Sequence, residues 1–228
     1  KSENKNYTNK FTNLNIIIIV LILTSLYAIL RYNVFGNTPW NQLPLYILNK
    51  ILSFSGLLLI TLNLSAKLLP RLKNSKQTLG IIGFILIFIH ILLSLILSSP
   101  LNYSKLYTDS GLFSAFGGIS LSSGAIAFTF LLIYIFYEKS KTIQNIFQNH
   151  RITAIQSLLP LIHLFFLGCS GWITPQKWQG GMPPITLISF ILYSVGLLIA
   201  TAKETKSKNT YTLIPEKSKT PAAFKPRK

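Results

Sequence analysis

Two histidines stand deep inside apolar runs: His90 closes LGIIGFILIFIH, and His163 closes NHRITAIQSLLPLIH. An ionisable side chain in hydrocarbon is costly unless it is partnered, so such residues mark candidate chemistry. His90 lies eleven residues beyond Leu79 and His163 ten beyond Thr153. At ~1.5 Å per residue, each sits roughly 15 to 17 Å along its helix. Two imidazoles at one depth on parallel helices can clamp a planar iron porphyrin from both faces, the axial pair of a low-spin heme b. That ligation leaves no open coordination position, so such an iron passes electrons instead of binding substrate. The plainer alternative is a pair of interior histidines that bridge helices by hydrogen bonds.

The third and last histidine, His150, stands beside Arg151 at the start of its run. A histidine at that position is ordinarily solvated or bound to lipid headgroups; the functional alternative is ligation of a second heme. His150 precedes His163 by thirteen residues, a rise of ~20 Å, and a straight helix would aim the two rings about 140° apart. A second heme would therefore need a bend or another partner.

The elements that carry these histidines follow from composition. Half of the 228 residues are hydrophobic, only 12% are charged, and the mean hydropathy is +0.46; soluble domains carry about 25% charge. Six stretches reach the roughly 20 apolar residues that a bilayer-spanning helix needs, near 14–30, 45–66, 79–98, 116–137, 153–170 and 184–202. The expected fold is an all-α, six-transmembrane-helix bundle. A basic N-terminal tail at 1–13 and a basic, disordered or lipid-bound tail at 203–228 flank a transmembrane domain at 14–202. The first run reads as a span and not a leader, since no small-residue cleavage site follows Leu30 and Arg31. No flavin or nicotinamide domain is expected in the short C-terminal tail.

The net charge of +17 would raise nucleic acid as a partner if the basic residues formed one patch. They alternate with the spans instead. Eighteen of the 22 Lys and Arg fall in the two tails and the second and fourth connections, while Arg31, Lys105 and Lys177 occupy the other side and Lys50 stands inside the second span. By the positive-inside rule this bias puts both termini in the cytoplasm and leaves the lipid bilayer, not nucleic acid, as the partner.

Other chemistry is thinly supported. All five acids, Glu3, Asp109, Glu138, Glu204 and Glu216, lie at or beyond the span edges, which weighs against proton-coupled transport. Cys169 has no companion, which excludes chemistry that needs a cysteine pair. GGISLSSGAIAF holds Ser120, Ser122 and Ser123, and small residues so spaced read as a helix-packing seam before they read as a nucleophile site. Trp172 and Trp178 read as membrane-interface residues, or as a docking lip with Gly180, Gly181 and Met182. Lys50 is expected to snorkel outward, or else to pair with a heme propionate.

The motifs also carry a resemblance. LGIIGFILIFIH, with its histidine ten positions after the glycine and basic residues before it, resembles the third helix of the ferric-reductase-like transmembrane family. NHRITAIQSLLPLIH, in which a His-Arg pair opens the span and a histidine follows thirteen residues later, is similar to that family's fifth helix. LLLITLNLSAKLLPRLK is a less specific likeness. Within the family the likeness is nearest to the heme-binding membrane subunits of periplasmic methionine sulfoxide reductase systems, and it covers roughly residues 50 to 170.

The resemblance implies a six-helix heme-b electron conduit. His90 and His163 would be the axial iron ligands and His150 the family's third histidine, giving one heme, or two if His150 ligates. Electrons would come from a cytoplasmic flavoprotein or a membrane quinol and leave to an outer-side acceptor or to ferric iron, in a bacterial inner membrane. A flavin in this chain is possible but not indicated. Two departures stand out: Gln77 occupies the place of a second histidine on the third helix, and the connection from Ser170 to Pro184 is long. The competing class is a non-redox scaffold, assembly factor or small-solute permease whose histidines only bridge helices.

Overall fold

The computed structural model describes the backbone of residues 2–66, 69, 72, 74–136, 140–142 and 150–212, and side chains chiefly over 13–66, 74–136 and 154–201. Among the described residues the architecture is helical, with a lone antiparallel bridge between Tyr107 and Phe113. The main helices are α1 (Ser2–Ile29), α2 (Leu48–Ser65), α3 (Lys76–Ile96), α4 (Ala115–Phe136), α5 (His150–Trp172) and α6 (Ile185–Thr212). Six segments are long and apolar enough to cross a membrane: Asn13–Val34, Trp40–Ser65, Lys76–Ile96, Ala115–Ile133, Ala154–Trp172 and Gln179–Thr201. The chain is thus of the multi-pass integral membrane type, and its spans fall within a few residues of those expected.

Helix continues from the outer spans into both tails. α1 already begins at Ser2 and α6 continues to Thr212, because Ala202, Lys203, Glu204 and Lys206 are ordinary helix formers with no glycine or proline to stop them. Residues 213–228 lie outside the described residues.

α2 is the central staff, packed against α1, α3 and α6, while α5 packs against α4 and α6. The α2–α3 contact is close because glycines meet there: a Cβ on Gly83 would stand 2.9 Å from the Gly56 carbonyl oxygen, and one on Gly56 3.0 Å from that of Gly83. Small residues let membrane helices approach by dispersion alone. Thr24 and Ser55, both essentially inaccessible, add a 2.6 Å hydroxyl pair between α1 and α2. Outward faces carry Ile22, Leu23, Leu95 and Leu198, each more than half exposed, as suits a lipid solvent.

The α2–α3 pair meets α4 through side chains. Phe128 stacks on Phe84 and Phe88, with ring centroids 5.9 and 5.8 Å apart. Two π-helical turns interrupt the regular pattern, Leu30–Val34 after α1 and Leu43–Ile47 before α2. Such turns are rare in helical chains and re-aim the side chains around them. Pro160, inside α5 and three residues before His163, cannot supply the N–H for the usual bond to the Gln156 carbonyl.

Candidate functional site

His90 on α3 faces α2, where Asn49 is 1% exposed. The Asn49 side-chain Nδ2 donates to Ser94 Oγ at 2.9 Å and to the Tyr103 hydroxyl at 2.7 Å. With the amide so oriented, its Oδ1 is left as the acceptor, 2.7 Å from His90 Nδ1, and the Asn49 carbonyl lies 3.2 Å from the same nitrogen. The hydrogen of a neutral His90 ring therefore belongs on Nδ1.

His163 on α5 is held the same way by a different group. Its Nδ1 lies 2.8 Å from the Ser120 carbonyl oxygen of α4 and donates to it. The Ser120 hydroxyl donates in turn to the His163 carbonyl at 3.0 Å and stands 3.2 Å from Nδ1. Gly124, one turn further along α4, lies flat against the ring: a Cβ there would be 2.8 Å from Nδ1.

Both imidazoles thus share one chemical state. Each fixes Nδ1–H on an oxygen, and neither Nε2 has a hydrogen-bond partner among the described residues. An anchored Nδ1–H sets the tautomer, orients the ring and leaves a basic Nε2 lone pair, as metal-ligating histidines require. Phe84 and Phe88 of α3 and Phe128 of α4 stack on one another between the two helices. No group of three or more His, Cys, Asp or Glu gathers among the described residues. An axial pair on a heme iron would use these two Nε2 atoms.

At the end of the bundle that carries the α1–α2, α3–α4 and α5–α6 connections, Lys50 does not reach outward. Its Nζ sits 4.9, 4.3 and 5.8 Å from the ring centres of Tyr32, Tyr46 and Tyr103. Burial lifts the Tyr103 phenol above its ordinary value, against the opposing pull of the Lys50 ammonium. Arg31, 6% exposed, is tied through Nη1 to the Met182 carbonyl, and Tyr27 donates to the Pro183 carbonyl at 2.7 Å.

Those bonds strap the 173–184 connection onto α1. Trp172 at the end of α5 and Trp178 within the connection are both held inside the chain: Trp172 Nε1 donates to Thr186 Oγ1 and Trp178 Nε1 to the Gly171 carbonyl, each at 2.9 Å. His150 opens α5, but its side chain lies outside the described residues, as do those of Glu3, Glu138, Glu204 and Glu216.

Sequence reasoning singled out both imidazoles and missed what holds them. Asn49, an amide inside an apolar span, was the available signal for one anchor; the Ser120 carbonyl carries no sequence signal at all. The chain matches no family model and no curated protein.

Proposed function

We propose that the chain is a heme-b electron-transfer subunit of ferric-reductase-like type, in which His90 and His163 hold one heme iron between them. The observation that carries this reading is the matched pair of imidazoles, each with Nδ1–H anchored on an oxygen and Nε2 free. A scaffold that used its histidines only to bridge helices would gain nothing from keeping both Nε2 atoms unpartnered.

With both termini in the cytoplasm, as the charge bias favours, α3 and α5 run outward. His163 then stands at the middle of its span and His90 in the outer half of its own. Bound there, heme supplies a one-electron couple without an open iron position. Asn49 and Ser120 keep the rings from rotating between oxidation states, which lowers the rearrangement that accompanies each transfer. Reducing equivalents would arrive from a cytoplasmic flavoprotein or a membrane quinol and leave to an outer-side acceptor; the membrane is the bacterial inner membrane in this reading.

A reduced-minus-oxidised absorbance spectrum of the detergent-purified chain, with heme measured per protein, tests the proposal. A low-spin b-type signal that disappears in both His90→Ala and His163→Ala is expected. Full heme content in both variants, or none in the parent chain from heme-supplied cells, overturns it in favour of a non-redox bundle. The same assay on His150→Ala decides between one heme and two.

A further inference from the structure

A fixed positive charge is built into the bundle beside His90. Lys50 directly follows Asn49, the amide that anchors the His90 ring and also donates to the hydroxyl of Tyr103, whose ring centre lies 5.8 Å from the Lys50 ammonium. Its ammonium stands over three tyrosine rings, at 4.3 Å from Tyr46, 4.9 Å from Tyr32 and 5.8 Å from Tyr103. The negative faces of aromatic rings hold a cation without neutralising it, and no carboxylate pairs with Lys50 among the described residues.

The cage is a product of specific backbone geometry. Tyr32 belongs to the π turn Leu30–Val34 and Tyr46 to the π turn Leu43–Ile47. Tyr103 is held by the hydrogen bond from Asn49. Two irregular turns and one loop therefore converge on one ammonium, where an unrestrained lysine near a span end would extend to water.

We propose that Lys50 is a potential-setting residue: its caged ammonium, beside the Asn49-anchored His90, favours the reduced state of the iron and so draws electrons toward this end of the bundle. The inference rests on the heme reading above. Oxidation adds one positive charge at the iron, and an unneutralised ammonium in the same low-dielectric region opposes that gain. At an effective dielectric of about 20 and ordinary side-chain-to-cofactor range, one unit charge shifts a one-electron equilibrium by roughly tenfold.

The experiment is a spectroelectrochemical titration of the purified, heme-loaded chain and three variants. K50M removes the charge and keeps the bulk, K50R keeps the charge, and Tyr46→Leu opens the nearest cage wall. At a fixed solution potential, K50M should lower the reduced-to-oxidised ratio about tenfold, ~59 mV for one electron. K50R should retain the parent ratio, and Tyr46→Leu should shift it in the K50M direction. If K50M does not load, Tyr46→Leu against K50R gives the same comparison. Loaded charge-removed or cage-opened variants with the parent midpoint overturn the inference and leave the heme reading standing. A parent chain without heme removes both.

Discussion

The two imidazoles are anchored by unlike groups, an amide side chain for His90 and a main-chain carbonyl for His163, and mutation can separate them. Asn49→Ala removes the acceptor at 2.7 Å and should weaken heme retention 10- to 100-fold, the usual cost of losing a partner behind a metal ligand. Ser120→Ala keeps the carbonyl at 2.8 Å and should retain most of the heme; equal losses in the two variants, read by heme-to-protein ratio, would show that the anchors do not act this way. Gly124→Ala sets a Cβ 2.8 Å from His163 Nδ1. It should cut heme content while leaving the helical circular dichroism unchanged. Residue type and depth were legible before any coordinates, because 1.5 Å per residue fixes depth along a helix. Asn49 was not legible as a partner, since it is 41 residues from His90 and only the α2–α3 crossing joins them. Ser120 reads in sequence as a packing residue, and it does pack; its second role belongs to the backbone.

Elements bring those residues into register. The Gly56–Gly83 crossing sets the distance between α2 and α3, and a side chain at Gly83 meets both the Gly56 carbonyl and Ile60 Cγ1 at 2.9 Å. Gly83→Leu should cost about 1 to 3 kcal/mol from overpacking, visible as a lower thermal midpoint, and should reduce heme content through the His90–Asn49 distance. The α3–α4 connection is sensitive to pH through Tyr103. Burial raises that phenol above its ordinary pKa of 10.0, so the folded chain resists ionisation that the unfolded chain accepts. Its contribution is whole below about pH 10 and declines as pH rises beyond it. Tyr103→Phe should flatten that alkaline loss in thermal unfolding; an unchanged slope would assign the loss to another group. Hydropathy placed the spans within a few residues, yet it could not foresee the π turns at Leu30–Val34 and Leu43–Ile47. These depend on packing among α1, α2 and the 173–184 strap, and for that reason Lys50 reads in sequence as a snorkelling side chain while the structure folds it into tyrosine.

For the whole molecule, the alternation of basic connections predicts which face meets which compartment. In a Cys169→Ser background, a cysteine at Lys105 should react with an impermeant maleimide in intact cells, and one at Lys141 only after permeabilisation. The reverse pattern would invert the direction in which α3 and α5 run. Among described side chains both positions are exposed, so reactivity reports sidedness and not burial. The unlike anchors of the two rings also bear on how such a chain can diverge over generations. Every residue type that fits at position 120 still contributes a carbonyl, so substitution there leaves the acceptor of His163 Nδ1 in place, whereas a single codon change at position 49 removes the acceptor of His90 Nδ1. Lineages descended from this sequence therefore have one ring whose acceptor is encoded directly by a side chain and one whose acceptor is set by the path of the main chain and by the space left at Gly124. Drift at the fully buried position 120 should be confined to small residues, and change at positions 49 and 124 should be purged.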